Sequence, residues 1–283
     1  MFISLDVGGT NIRVASFKSL DSSEFTDLCK FKNKNDSLHD YENIAAAVTD
    51  LAKGENIEGI GVGLPGFINK KNDYACILPN LSNWNCSTLY EDLKSKFSCE
   101  VIFENDAAAA ALGESIYGQR NDQDFMFLIW GTGIGGCDVK FLDGKMLLFP
   151  CEPGHQVINP DGEVHSCGQK GCLELYCGGK SIIDHYGKLA TELTEDEWGK
   201  VLEDMSFGIA NLMTMRYTNA IVMGGAIGVA ESARLEILKA KINEKLKIYP
   251  PVEEITSSRL GQNAGVIGAL SLLSKDKYYS FSR

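Results

Sequence analysis

A short apolar strand, a glycine-rich turn and a second strand occur twice in this chain, at 2–17 and at 125–142. The first turn is Gly8-Gly9-Thr10, and the second is Gly131-Thr132-Gly133-Ile134-Gly135-Gly136. Strand-like residues follow each turn, so both units are predicted hairpins. Recurrence of the same unit in matching positions predicts an α/β protein with two similar halves.

The segments between the predicted strands have apolar residues at helical spacing or a composition that favours helices. Helices are predicted at 38–51, 89–97, 107–112, 181–193, 195–217, 230–247 and 264–273, and further strands at 24–31, 57–62, 101–103 and 220–223.

The two glycine turns are candidate phosphate sites. Glycines let backbone N–H groups approach a phosphate closely, and the Thr10 hydroxyl adds a donor. Asp6, at the end of the first strand, is a candidate Mg²⁺ ligand through water. The second turn lacks the Gly-Lys-Ser/Thr ending of a P-loop, and the strand after it excludes a dinucleotide fingerprint. For either turn alone, the alternative is a hairpin turn without a ligand.

Glu104-Asn105-Asp106 follows a predicted buried strand and opens an alanine-rich helix. A carboxylate at a strand end can accept a hydroxyl proton during phosphoryl transfer, which makes Asp106 a candidate general base. Asn105 can hydrogen-bond a sugar hydroxyl. The alternative is that these residues only cap the helix, since Asn and Asp are favoured there.

His155, His165, Cys167 and Cys172 form a candidate metal site. Two imidazoles and two thiolates suit tetrahedral zinc, and the two cysteines enclose a loop with two glycines. The alternative is a loop with free thiols, because cysteine is often simply buried.

Three other positions are weaker candidates when each is taken alone. Glu152 and Glu174 bracket the candidate metal site, and carboxylates accept hydrogen bonds from sugar hydroxyls; the alternative is a pair of solvated surface acids. Gly224-Gly225 follows a predicted buried strand and would let an adenosine lie against the backbone, although an ordinary strand-to-helix turn explains it as well.

Charge and composition argue against several kinds of partner. The chain has 283 residues, a net charge of −11 and no block of Lys and Arg, which disfavours nucleic acid and anionic membrane surfaces. It shows no basic-then-apolar leader and no apolar run of about 18 residues. With nine cysteines and no export signal, we expect reduced thiols and a cytoplasmic location.

Taken together and in this order, the motifs resemble the ROK family of sugar kinases and repressors. The resemblance also includes Gly63-Leu64-Pro65-Gly66, Pro79-Asn80-Leu81 with Trp84, Leu112-Gly113-Glu114, Glu152-Pro153-Gly154-His155 and Cys167-Gly168-Gln169-Lys170-Gly171-Cys172-Leu173-Glu174. It covers nearly the whole chain. It implies an actin-like ATPase (ribonuclease H-like) fold with two similar lobes around a cleft. The lobes are predicted at 1–117 plus 265–283, and at 118–264.

The resemblance implies an ATP-dependent kinase acting on the 6-hydroxyl of a hexose, with glucose favoured. N-acetylglucosamine, N-acetylmannosamine and a non-catalytic sugar-sensing regulator remain alternatives. The implied sugar-site residues are Gly66, Asn105, Asp106 as general base, Glu152, His155 and Glu174. The implied ATP and Mg²⁺ residues are Asp6, Gly8, Gly9, Thr10, Gly131, Thr132, Gly133, Gly224 and Gly225. The implied ligands of a structural zinc are His155, His165, Cys167 and Cys172.

The chain departs from the family pattern at three positions. His165 stands where the family usually has Cys, Ala108 where Asn is common, and Cys137 where Gly is usual. The family's repressors carry a DNA-binding segment before the first phosphate motif, and the few residues before Asp6 favour an enzyme over a repressor. The family also suggests a homodimer.

Overall fold

The computed structural model describes residues 1–69, 75–78 and 81–280. In chain order its strands and helices are β1 (Phe2–Val7), β2 (Asn11–Phe17), β3 (Asp27–Lys32), α1 (Ser37–Ala52), β4 (Gly59–Leu64), β5 (Phe67–Asn69), β6 (Ala75–Ile77), α2 (Cys86–Phe97), β7 (Glu100–Asn105), α3 (Asp106–Ile116), β8 (Phe125–Trp130), β9 (Ile134–Leu142), β10 (Lys145–Cys151), α4 (Glu174–Cys177), α5 (Gly179–Tyr186), α6 (Glu195–Met215), β11 (Ala220–Gly224), α7 (Gly225–Ala230), α8 (Leu235–Lys245), β12 (Glu254–Ser257), α9 (Ala264–Ser271) and β13 (Tyr278–Ser280).

The chain forms two compact units. Unit 1 comprises 1–122, 141–150 and 263–283, and unit 2 comprises 123–140 and 151–262. Each unit has its own buried apolar cluster. The lobe boundaries given above stay predictions.

Unit 1 is built on a sheet with the strand order β3-β2-β1-β4-β7. β1 and β2 form the predicted antiparallel hairpin, whereas β4 and β7 run parallel to β1 and to each other. Helix α9 lies directly on this sheet, because a Cβ at Gly61 would stand 1.8 Å from the Ala269 carbonyl oxygen. The absence of a side chain at Gly61 is therefore what allows α9 to pack so closely.

Unit 2 contains strands in the order β12-β11-β8-β9. β8 and β9 form the second predicted hairpin, and β11 and β12 continue the sheet in parallel. The series β2-β1-β4-β7 of unit 1 has the same order and relative strand directions. In the core, the Trp130 and Trp198 rings meet edge to face at 5.9 Å. The prediction of two similar halves is confirmed by this repeated topology.

Two predicted helices differ from the observed ones. The helix predicted at 181–193 is α5, which ends at Tyr186 because Gly187 takes the left-handed conformation (φ 67°). The helix predicted at 230–247 begins only at Leu235, after the separate short helix α7. The sequence does not predict strands β5, β6, β10, β12 and β13 or the short helices α4 and α7.

The cysteine prediction is wrong at one position. Cys86, the first residue of α2, is disulfide-bonded. Among the described residues, seven other cysteines are free thiols.

Within the described part of the chain, no helix combines the length and the apolar character that crossing a membrane would require.

Candidate functional site

The first glycine turn lies between β1 and β2 in unit 1. The Gly8 N–H donates to the Asn11 carbonyl at 2.9 Å, and Asn33 Nδ2 donates to the Gly8 carbonyl at 2.8 Å. Gly9 and Thr10 are exposed at the tip. The hydrogen bond from Asn33 thus holds the backbone of the turn at Gly8, while Gly9 and Thr10 remain open to solvent.

Asp6, the predicted Mg²⁺ residue, has an ion-pair partner that the sequence reasoning missed. Arg13 Nε donates to Asp6 Oδ2 at 2.9 Å, and Arg13 Nη2 contacts the same oxygen. The two residues are directly opposite in the hairpin register, so the predicted hairpin already carried the signal. On the other side, a Cβ at Gly265 of α9 would lie 2.5 Å from Asp6 Oδ2, which means that α9 leaves room for this carboxylate.

Asn105 and Asp106 occupy the junction between β7 and α3. Asn105 Oδ1 accepts the Ala108 N–H at 3.0 Å, so Asn105 is the N-cap of α3. Its predicted contact with a sugar hydroxyl stays a prediction. Its Nδ2 donates to the Gly66 carbonyl at 3.0 Å. Gly66 has a φ of 100°, a conformation suited to glycine. Asn105 therefore ties the Gly66 loop to the start of α3.

Asp106 is the first residue of α3, and its Oδ1 accepts the Ala107 N–H at 2.8 Å. Glu104, two residues earlier, is fully buried, and its Oε1 accepts the Asn105 N–H at 2.8 Å. This arrangement holds a carboxylate, the type of group that can accept a proton, at the end of a rigid strand.

The second glycine turn lies between β8 and β9 in unit 2, beside the start of α5. The Gly179 N–H donates to the Gly131 carbonyl at 2.8 Å, and the Lys180 N–H donates to the Thr132 carbonyl at 3.1 Å. These two hydrogen bonds fix the backbone of the second glycine turn against the start of α5.

The second predicted nucleotide element, Gly224-Gly225, lies against this same turn. Gly225 has a φ of 80°, and a Cβ there would lie 2.5 Å from the Trp130 carbonyl oxygen. A Cβ at Gly131 would lie 3.8 Å from the Ala226 nitrogen. The structure therefore brings together two glycine elements that are about ninety residues apart in the sequence.

The four predicted metal ligands are also brought together in unit 2. One donor atom from each of His155, His165, Cys167 and Cys172 lies within 4.8 Å of the others. Cys167 Sγ is 3.2 Å from His165 Nδ1 and 3.7 Å from Cys172 Sγ. His155 Nδ1 is buried and has no hydrogen-bond partner. A compact N₂S₂ set with an unsatisfied buried nitrogen fits a tetrahedral zinc ion.

Glycines shape the loop that carries these ligands. The Gly168 N–H donates to the His165 carbonyl at 2.9 Å, and the His165 N–H donates to the Gln169 carbonyl at 2.7 Å. Gly168 and Gly171 have φ values of 87° and 65°. A Cβ at Gly171 would lie 1.6 Å from the Asn159 carbonyl oxygen, so this loop packs tightly on the segment before it.

Glu152 lies close enough to Glu174 to be affected by its charge. Burial, and next the Glu174 carboxylate, raise the pKa of Glu152 to about 7. Glu174 Oε2 accepts the Ile134 N–H at 2.7 Å, and Glu174 Oε1 is 3.4 Å from His165 Nε2. The alternative of a pair of solvated surface acids does not describe these two residues.

Part of the predicted sugar-side segment lies outside the described residues, namely Pro79 and Asn80. Leu81 and Trp84, which follow them, are buried, and the Trp84 ring meets Tyr41 edge to face at 5.1 Å. Ala108 and Cys137, two of the departures from the family pattern, are fully buried.

A family model described as ROK family matches residues 2–276. A glucokinase from Thermotoga maritima is 26% identical, covering 96% of this chain and 96% of that protein. A xylose repressor from Caldicellulosiruptor bescii is 28% identical over 78% of this chain and 64% of that protein. Among solved structures, a ROK family glucokinase from Streptomyces griseus, in complex with glucose and AMPPNP, aligns with a TM-score of 0.77. It is 24% identical and covers 96% of this chain and 98% of that one, a likeness that shows a shared fold.

Proposed function

Because this chain belongs to the ROK family and has its actin-like ATPase fold, we propose that it is an ATP-dependent kinase for the 6-hydroxyl of a hexose, with glucose as the first candidate. The glucokinases among its relatives and the glucose complex of the Streptomyces griseus enzyme support this choice. The finer assignments below rest on this chain's own residues.

The observation that carries the proposal is the carboxylate of Asp106 at the end of β7 and the start of α3. In phosphoryl transfer the protein mainly aligns the reactants and stabilises charge, with one group to receive the proton of the attacking hydroxyl. Asp106 takes that proton as the hydroxyl oxygen bonds to the γ-phosphorus and the bond to ADP breaks. Asn105 holds the Gly66 loop in place beside it.

The two glycine turns provide the nucleotide contacts in this proposal. The Gly8 and Gly131 N–H groups bond within their own turns, so the N–H groups of Gly9, Thr10, Thr132 and Gly133 are the ones that bind phosphate oxygens. Gly224-Gly225 lies along the adenosine. Mg²⁺ supplies charge neutralisation on the phosphates when it is bound. Asp6 would hold it through water, and Arg13 fixes the orientation of the Asp6 carboxylate.

Zinc has a structural role in this proposal, held by His155, His165, Cys167 and Cys172. We call residues 163–173, which carry three of the four ligands, the metal-binding loop. This loop directly precedes Glu174, so a metal that fixes the loop also fixes the Glu174 carboxylate. His155, Glu152 and Glu174 contact sugar hydroxyls. A cytoplasmic location and a homodimer complete the proposal.

A coupled assay for ADP release tests the proposal. Zinc-replete protein is given Mg-ATP with glucose, mannose, fructose, N-acetylglucosamine or N-acetylmannosamine. Glucose-dependent ADP release is expected. If an N-acetylhexosamine rather than glucose produced ADP, the assignment as a kinase would stand and the assignment of glucose as its substrate would be wrong. No release with any sugar, combined with measurable sugar binding, would support the regulator that the repressor relatives represent.

A further inference from the structure

The ring of His165 reaches beyond the metal ligands. Its Nδ1 lies 3.2 Å from Cys167 Sγ, inside the ligand cluster. Its Nε2 lies 3.4 Å from Glu174 Oε1, on the opposite side of the ring. The Ser166 hydroxyl is equally distant from Nε2, but a carboxylate is the stronger acceptor. His165 as a whole is 9% exposed, so water has little access to this contact.

Glu174 is enclosed on its other side. Its Oε2 accepts the N–H of Ile134, which belongs to the second glycine turn and is the first residue of β9. A Cβ at Gly133 would lie 2.4 Å from Oε2, and a Cβ at Gly154 would lie 2.9 Å from it. The carboxylate fills space that these glycines leave, so its orientation depends on the groups that contact its two oxygens.

We propose that His165 is a positioning residue that binds the metal through Nδ1 and donates its Nε2–H to Glu174. A metal on Nδ1 leaves the ring proton on Nε2, which is the tautomer that can donate. The link then runs from the metal through His165 and Glu174 to the backbone of the second glycine turn. A cysteine at 165, the usual family residue, has one sulfur and cannot make both contacts. The effect on sugar binding rests on the proposed function, whereas the link between metal and Glu174 does not.

Nitrogen-15 NMR of histidine-labelled, zinc-loaded protein tests the tautomer directly. The chain has four histidines, so the His165 signals can be assigned by their loss in His165→Cys. The expected result is a metal-bound Nδ1 and a protonated Nε2. Metal on Nε2, or a proton on Nδ1, would overturn the proposal.

Zinc affinity, measured by chelator competition, tests the link to Glu174 without any kinase assay. Groups that orient a metal-bound histidine typically change metal affinity by about 10–100-fold when they are removed. Glu174→Gln is therefore expected to weaken zinc binding about tenfold or more, although Glu174 is not a ligand. Glu163→Gln is the matched control. Glu163 is an exposed residue of the same loop, and its substitution removes the same charge without removing a contact to His165. Equal affinities in both variants would rule out the link.

His165→Cys keeps a metal ligand but removes the contact with Glu174. It is expected to bind one metal ion per chain, to give a cobalt spectrum with a third thiolate, and to weaken glucose binding in calorimetry by about tenfold, in line with the loss of an orienting group. Wild-type glucose affinity in this variant would overturn the sugar part. If the wild-type protein bound no hexose, the proposed function would fail, while the NMR and zinc-affinity results would still decide the metal link. If the variant does not fold, the zinc affinity of Glu174→Gln still decides the link between the metal and Glu174.

Discussion

At the residue scale, neighbouring side chains in unit 1 have separate tasks. Asn105 uses both ends of its amide, one to cap α3 and the other to hold the Gly66 carbonyl. Arg13 orients Asp6 across the hairpin. Asp106 is therefore the residue at this junction whose chemistry matches proton acceptance, while its neighbours set the geometry.

Asp106→Asn is expected to abolish turnover and to leave sugar affinity within about tenfold, because the amide keeps the shape and cannot accept the proton. Single-turnover phosphoryl transfer and calorimetric sugar binding measure the two effects separately. Asp50→Asn, an exposed change of the same charge on α1, serves as the control and should behave like the wild type. Normal turnover by Asp106→Asn would refute the assignment of the base.

At the scale of elements, close backbone approaches decide which segments can pack. The metal-binding loop meets the segment before it at Gly171, and α9 meets β4 at Gly61. In both places a methyl group would overlap a carbonyl oxygen, so the neighbouring element would have to move. These contacts hold the predicted ligands and the first hairpin in position within their units.

The two glycines of the metal-binding loop form a matched pair for testing this packing. Both have positive φ, and a Cβ at Gly168 meets nothing within 4 Å, whereas one at Gly171 meets the Asn159 backbone. Gly168→Ala is expected to cost about 1–2 kcal/mol from backbone strain alone. Gly171→Ala should cost clearly more and lower the zinc content. Thermal melting and metal analysis check both variants, and equal melting temperatures would show that the loop can relax.

Strand β9 carries a buried charge whose cost depends on pH. Asp138 is 3.5 Å from Lys140 and 3.4 Å from Arg216, with Asp124 also bound to Lys140. Burial raises the pKa of Asp138 despite the two cations that lower it. Because the folded-state pKa lies above the unfolded value of about 3.9, the ionised carboxylate reduces stability, and this loss develops as pH rises through the folded pKa.

Asp138→Asn should therefore gain melting temperature relative to the wild type between about pH 3.5 and pH 7, since Asn resembles the protonated acid. Asp161→Asn, an exposed change in the same unit, should show no such trend. If the difference between Asp138→Asn and wild type were constant across this range, the cost of the buried charge would be disproved.

At the scale of the whole molecule, the repeated hairpin was the most predictable feature because its signal is local. A strand, a glycine turn and a strand need no distant partner to be recognised. Strands β12 and β13 have four and three residues, too short to show a period, and they depend on β11 and β10 for pairing.

The candidate site was predictable by residue type more than by contact. The candidate metal ligands were recognisable because two His and two Cys residues lie close together in the sequence, at 155–172. The bond from Asn105 to Gly66 joins residues 39 apart, and the contact of His165 with Glu174 depends on how the loop folds back. Neither leaves a periodic pattern, so only the three-dimensional structure reveals them.

The charge of the whole chain bears on the choice between a kinase and a DNA-binding regulator. Duplex DNA presents one negative charge per about 1.7 Å, and binding depends on Lys and Arg that displace counterions. This chain has 27 basic and 38 acidic residues. We expect no duplex binding tighter than about 0.1 mM even at about 50 mM salt, where such binding is strongest, as measured by fluorescence anisotropy. If the protein bound duplex DNA more tightly than this, and if glucose weakened that binding, the regulator would be favoured over the kinase. Such an effect would couple the sugar site to DNA.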